Sequence, residues 1–221
     1  MPPDSIALCV NEIVMGRHDW YRNEEWNDEI ADAFFAKLKR ARQKNQYLRI
    51  QALYLEFSHP EVALDLLDKY FKLDGDFFDS ATAFTQRAEI LLRKNDIEGA
   101  IIAYENALKQ EASNENYHTE AAIMLPLLFV EHNLVPYFKK GIKILEANKE
   151  YVPVPVNRFR WHAAMAIFKN SLGENNEASK HAKIALDAAT EEKSGFRYHQ
   201  KLGLVSKKYE PIIERLRKIC T

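Results

Sequence analysis

Apolar residues at helical spacing return along this chain in pairs of stripes, roughly every 37 residues. This recurrence limits the possible folds more than any other feature. The sharpest stripe is Ile97, Ala100, Ile101, Tyr104, Ala107 and Leu108. Its positions follow i, i+3, i+4, i+7, one face of a 3.6-residue period. Phe84, Ala88, Leu91 and Leu92 mark a helix just before it. The connection Arg93-Lys94-Asn95-Asp96 is short, so the two helices are antiparallel neighbours. Asn95 or Asp96 can cap the second helix, because a short side-chain oxygen reaches the unpaired N–H groups of a first turn.

The pattern recurs upstream and downstream. Tyr47, Ile50, Tyr54 and Phe57 form one stripe. After Ser58-His59-Pro60 comes a second, Val62, Ala63, Leu66, Leu67, Tyr70 and Phe71, with Pro60 placed to open its helix. Residues 121–130 and then Tyr137, Gly141, Ile144 and Leu145 make a third pair. Trp161, Met165 and Phe168, followed by Ala178, Ala182, Ala185 and Leu186, make a fourth. Ala63 and Ala100 are 37 residues apart, Tyr137 lies another 37 on, and Ala178 follows Tyr137 by 41. The extra length is expected in the loop 151–157, whose prolines exclude helix. Two helices per period mean that no pair buries its apolar face alone and that neighbours must stack. The expected fold is all-α, a right-handed α–α superhelix (solenoid) of antiparallel helix pairs.

Composition agrees with this reading. Hydrophobic residues make up 47% and charged residues 29% of the 221, a globular balance. Only 7 glycines occur, which argues against β-rich folds and Gly-lined nucleotide sites. Thirty-one basic residues face 32 acidic ones, so no global field draws in nucleic acid or anionic membrane. Cys9 and Cys220 form neither a metal cluster nor a disulfide framework, and are expected as two reduced thiols. The start lacks a basic region before an uninterrupted apolar stretch, and the longest apolar run, 121–130, contains Pro126. A soluble, cytoplasmic protein is expected, with no membrane partner.

The segment 84–108, with small Ala88 and large Leu91 in one helix and Ala100, Tyr104 and Ala107 in the next, resembles a tetratricopeptide repeat. Ala178, Ala182 and Ala185 resemble the second half of that motif, and the pairs around Ala63 and Tyr137 match it loosely. The resemblance covers about 44–192 within one domain, 23–221. That domain opens with a capping helix, 24–43, and ends in a closing segment, 193–221; an extension, 1–22, precedes it. Trp26, Ile30, Ala33, Phe34, Leu38 and Ala41 form the cap's apolar stripe, with Phe35 on the opposite side. Tyr209, Ile212, Ile213, Leu216 and Ile219 form that of the closing helix.

No H-E-x-x-H, G-x-S-x-G, Gly-rich phosphate loop or C-x-x-C occurs. His162 and His181 can approach across the fourth pair, where packing or a solvent edge accounts for them. Glu131-His132 and His118 with Glu120 are acid–base groups without a visible third orienting residue. No catalysis, metal or cofactor is expected. The resemblance implies instead a scaffold that binds a peptide or protein segment in a concave groove lined by first helices. It nominates Asn45 and Arg49 with Glu56, then Gln86, Glu89 and Arg93 with Thr82, and Arg160. The family's carboxylate-clamp pattern of Lys and Asn is missing. The alternative is an enzyme or nucleic-acid adaptor on a helical-repeat body. It would use the basic patch Lys37, Lys39, Arg40, Arg42, Lys44 and Arg49, which also complements the dipole of a helix that starts acidic. Phe196-Arg197-Tyr198-His199 is expected either to plug the last helix pair or to contact a ligand.

Overall fold

The computed structural model describes residues 19–75, 77–113, 118–148 and 154–220. Among them lie ten α-helices and no strand. They group into two compact units that part between Asp79 and Ser80.

The first unit holds α1 (Asp28–Arg40), α2 (Lys44–Leu55) and α3 (Pro60–Phe71). Asn27 caps α1 by accepting the Ile30 N–H at 2.9 Å. Asp28 and Glu29 in the first turn, and Lys37, Lys39 and Arg40 in the last, match the helix dipole. Pro60 opens α3, where its missing N–H costs nothing. α2 and α3 pack as an antiparallel pair across the turn before Pro60. Trp20 and Tyr21, at the end of the expected extension, pack at a tilt against Tyr47, with ring centroids 4.9 and 4.7 Å away. The rest of that extension, residues 1–18 with Cys9 and His18, lies outside the described residues.

The second unit holds α4 (Ser80–Arg93), α5 (Ile97–Ala112), α6 (Ala121–Glu131), α7 (Phe138–Ala147), α8 (Pro155–Ser171), α9 (Asn175–Ala189) and α10 (Glu210–Ile219). α4 pairs with α5, α6 with α7 and α8 with α9, while α10 covers α8 and α9. Asp96 is the cap of α5, accepting the Gly99 N–H at 2.9 Å. α6 is apolar almost throughout and buried from Ala121 to Val130 except at Met124. Such a helix survives only when covered on all sides. Trp161 satisfies its buried indole N–H on the Leu145 carbonyl at 3.1 Å.

Three expectations change. In α2 the buried residues are Leu48, Gln51, Ala52 and Leu55, while Tyr54 and Phe57 are exposed. Apolar residues lie on more than one face of this helix, with Leu53 45% exposed, so the stripe alone does not fix which face is buried. In the third pair Tyr137 is exposed in a short 3₁₀ turn, and Gly141, Ile142 and Leu145 form the buried stripe with Phe138. Third, α8 begins at Pro155, so residues 155–157 are helical, not loop, with the proline at the position helices accept it. Residues 151–153 lie outside the described residues.

With Gly141 in place of Tyr137 the four pairs fall into register. Ala63, Ala100, Gly141 and Ala178 are each the fourth residue of a second helix, 37, 41 and 37 residues apart. The three alanines are fully buried. A Cβ added at Gly141 would lie 2.6 Å from ring carbons of Phe168 and 3.4 Å from Phe129. Gly141→Ala gains about 1 kcal/mol of helix propensity but overpacks this contact at a cost of about 1–3 kcal/mol. It should therefore lose stability in denaturant titration. In a Phe168→Leu background the same change should become neutral or stabilising, and strict additivity of the two would refute the contact.

Candidate interaction surface

In the first unit Asn45 and Arg49, both nominated by the sequence, converge on one carboxylate. Arg49 Nε donates to Asp79 at 2.7 Å and Asn45 Nδ2 at 3.4 Å, while the Tyr70 hydroxyl donates at 2.8 Å. The Arg49–Asp79 bond is charge-assisted and less than one fifth of either side chain is exposed. These donors hold Asp79 onto α2 and α3. Gln51, which the sequence reading left aside, is fully buried and binds Asn23 through both ends of its amide. Of the basic patch, Lys37, Lys39, Arg40 and Arg42 are exposed, and Lys44 and Arg49 are half-buried.

The second unit carries a larger polar assembly on the side of its first helices. Arg160 of α8 donates from Nε to the Tyr209 hydroxyl at 2.7 Å. Its Nη1 donates to Glu120 at 3.0 Å and to Asn157 at 3.1 Å. Arg160 thus braces the start of α6 and the approach to α10. The sequence reading named Glu120 and Tyr209 but not as partners of Arg160, because they lie 40 and 49 residues away, beyond any local pattern. Glu120 is thereby engaged by Arg160, while His118 stands 3.9 Å from Glu111. Glu111, buried at the end of α5, accepts the Thr119 N–H at 2.8 Å and also its hydroxyl.

Two polar groups in this unit lack any hydrogen-bond partner among the described residues. One is the Gln86 amide, with both oxygen and nitrogen buried; the other is the Tyr104 hydroxyl. Such groups are rare in folded proteins, because each forfeits its hydration. Burial pushes the Tyr104 phenol above its ordinary pKa, and the carboxylates of Glu89 and Glu120 push it further. Arg160 and Glu131 also act on it. On α4, Thr82, Gln86, Glu89 and Arg93 share one face at helical spacing. Exposure along it rises from buried Gln86 through half-buried Glu89 to exposed Arg93.

His162 and His181 do meet, with their Nδ1 atoms 2.8 Å apart beside Trp161. Among the described residues no three His, Cys, Asp or Glu side chains are grouped to hold a metal ion. No described helix is long and apolar enough to cross a membrane. Cys220 is a free, half-buried thiol, and Cys9 lies outside the described residues. Phe196 and Tyr198 are 45% and 81% exposed, so this segment does not plug the last pair.

No family model and no curated protein matches the chain. Among solved structures it is similar to the crystal structure of MamA, at 20% identity and a TM-score of 0.49, over 73% of this chain and 87% of that one.

The histidine pair makes stability depend on pH. Burial, then His181 and Arg158, lower the His162 pKa from its ordinary 6.5 to about 4. The fold therefore favours the neutral ring. Its contribution is complete above pH 6.5 and is lost as pH falls toward 4. The melting temperature should decline through that window. His162→Gln should flatten the decline, and an unchanged profile in the variant would show that other groups cause it.

Proposed function

We propose that this protein is a non-enzymatic interaction module whose second unit binds a peptide or protein segment along the first-helix face of α4, α6 and α8. Gln86, Glu89 and Arg93 make the contact in this reading, and the expected cytoplasmic setting belongs to it. The observation that carries it is the Gln86 amide, buried on that face with neither its donor nor its acceptor satisfied among the described residues. An extended segment offers a carbonyl and an N–H at every residue, which is the pair an amide side chain complements. The Tyr104 hydroxyl is a second unmet group in the same unit. Asn45 and Arg49, engaged on Asp79, and Arg160, engaged on Tyr209, Glu120 and Asn157, shape their surroundings rather than await a ligand.

The reading predicts a trade between stability and recognition. Leaving a buried amide unpaired costs about 1–3 kcal/mol. Gln86→Met keeps the volume and removes the unmet groups, so it should raise the melting temperature by several degrees. The same variant should bind peptides selected from a displayed random library on the intact wild-type chain about tenfold more weakly. Peptides that bind both proteins equally, or a library that yields none, would leave this face without a binding role.

A further inference from the structure

Between Glu192 and Glu210 the chain has no acidic residue and five cations: Lys193, Arg197, Lys201, Lys207 and Lys208. All five are exposed. Interleaved with the first three are large apolar side chains that the fold leaves in water. Tyr198 is 81% exposed, Leu202 61% and Phe196 45%. Isolated exposed apolar residues need no explanation, but three within seven positions of one basic loop form a patch.

The loop is also built to hold that patch in place. Ser194 is buried, and its N–H donates to the Gln200 carbonyl at 2.8 Å while its hydroxyl donates to the His199 carbonyl at 3.0 Å. These bonds close the loop at its base and leave residues 195–199 as a tip. The Leu202 N–H bonds to the His199 carbonyl at 2.9 Å. At the far side the Gly203 carbonyl accepts the Val156 N–H at 2.8 Å, which fastens the loop to the start of α8. Gly203 has φ +77°, and a Cβ there would stand 3.1 Å from Val154, so glycine is what permits this seat. The Arg197 guanidinium lies 5.3 Å from the centre of the Tyr198 ring, so charge and apolar surface are presented together.

We infer that the tip formed by Phe196, Arg197, Tyr198, Lys201 and Leu202 is a peripheral contact site for an anionic phospholipid surface. The chain's near-neutral total charge supplies no general attraction to such a surface, so the local acid-free stretch must supply it. Each cation near an anionic leaflet contributes, and aromatic rings settle at the headgroup level. Binding to such a surface scales with the apolar area inserted plus the attraction to anionic lipids, and this loop supplies both. Single-stranded nucleic acid is less well matched. It rewards flat rings on which bases stack, and the aliphatic Leu202, among the most exposed apolar residues here, offers no such face. This reading revises the sequence-based expectation that no membrane is involved, and it is independent of the α4 face.

The test uses the full chain with vesicles of phosphatidylcholine alone, or with about one third phosphatidylserine, in low and high salt. Co-sedimentation with the anionic vesicles only, reversed by salt, is expected. Arg197→Gln with Lys201→Gln should weaken it about 25-fold, near fivefold for each cation removed. Tyr198→Ser with Leu202→Ser should weaken it about tenfold or more. Both double variants change exposed side chains, and unchanged melting curves would verify their folds. The proposal is overturned by three results: no binding to anionic vesicles in low salt, equal binding to neutral ones, or wild-type affinity in the Ser double variant. Binding of an oligouridine probe that falls in the Gln variant, with no vesicle binding, would move the loop to nucleic acid.

Discussion

Small residues at the fourth position of each second helix set the geometry of both units. Ala63, Ala100 and Ala178 are fully buried, and Gly141 meets Phe168 at a distance that leaves no room for a methyl group. Where backbones come this close, side chains such as Tyr70, Tyr104, Phe129 and Phe168 close over the contact and are wholly removed from water. Each such side chain contributes about 1.5–3 kcal/mol on burial. The short connection before α5 follows from the same constraint, because Asn95 turns the chain in the left-handed region and Asp96 starts the helix at once.

The polar groups divide by whether the packing found them partners. Asp79 and Arg160 each collect three donors or acceptors, Glu111 two from Thr119, and polar groups so satisfied fix one arrangement. Gln86 and Tyr104 are held in equally dry surroundings without that compensation. Within the second unit, Arg160 and Glu111 are thus engaged between helices, while Gln86 and Tyr104 are not.

The helices were legible because their signal is local. α5 was readable from its stripe and cap, and α10 from Ile212, Ile213 and Leu216 after Pro211. α2 and the third pair misled for a shared reason. Both offer apolar residues on more than one face, and a reading that favours large side chains chose Tyr54, Phe57 and Tyr137. Packing buried Leu48 and Ala52 in α2, and in the third pair it kept Gly141 and Leu145 but added Phe138 and Ile142. The nominated residues lie on α2, α4 and α8, but the bonds that some of them make were not visible in the sequence. Arg49 bonds to Asp79 across 30 positions, and Arg160 to Tyr209 across 49.

By itself, the sequence determined the all-helical class, the pairing of neighbouring helices and where α3 and α5 begin. Hydrophobic period, proline and short polar side chains act within a few residues of chain, so a sequence carries them in full. Only the tertiary structure decided which face of α2 is inside, that Gly141 continues the series begun by Ala63 and Ala100, and which polar groups go unmet. It also left Tyr198 in water at the tip of a closed basic loop. Those outcomes depend on how closely segments far apart in sequence approach, and that distance is set by the packing of all of them together.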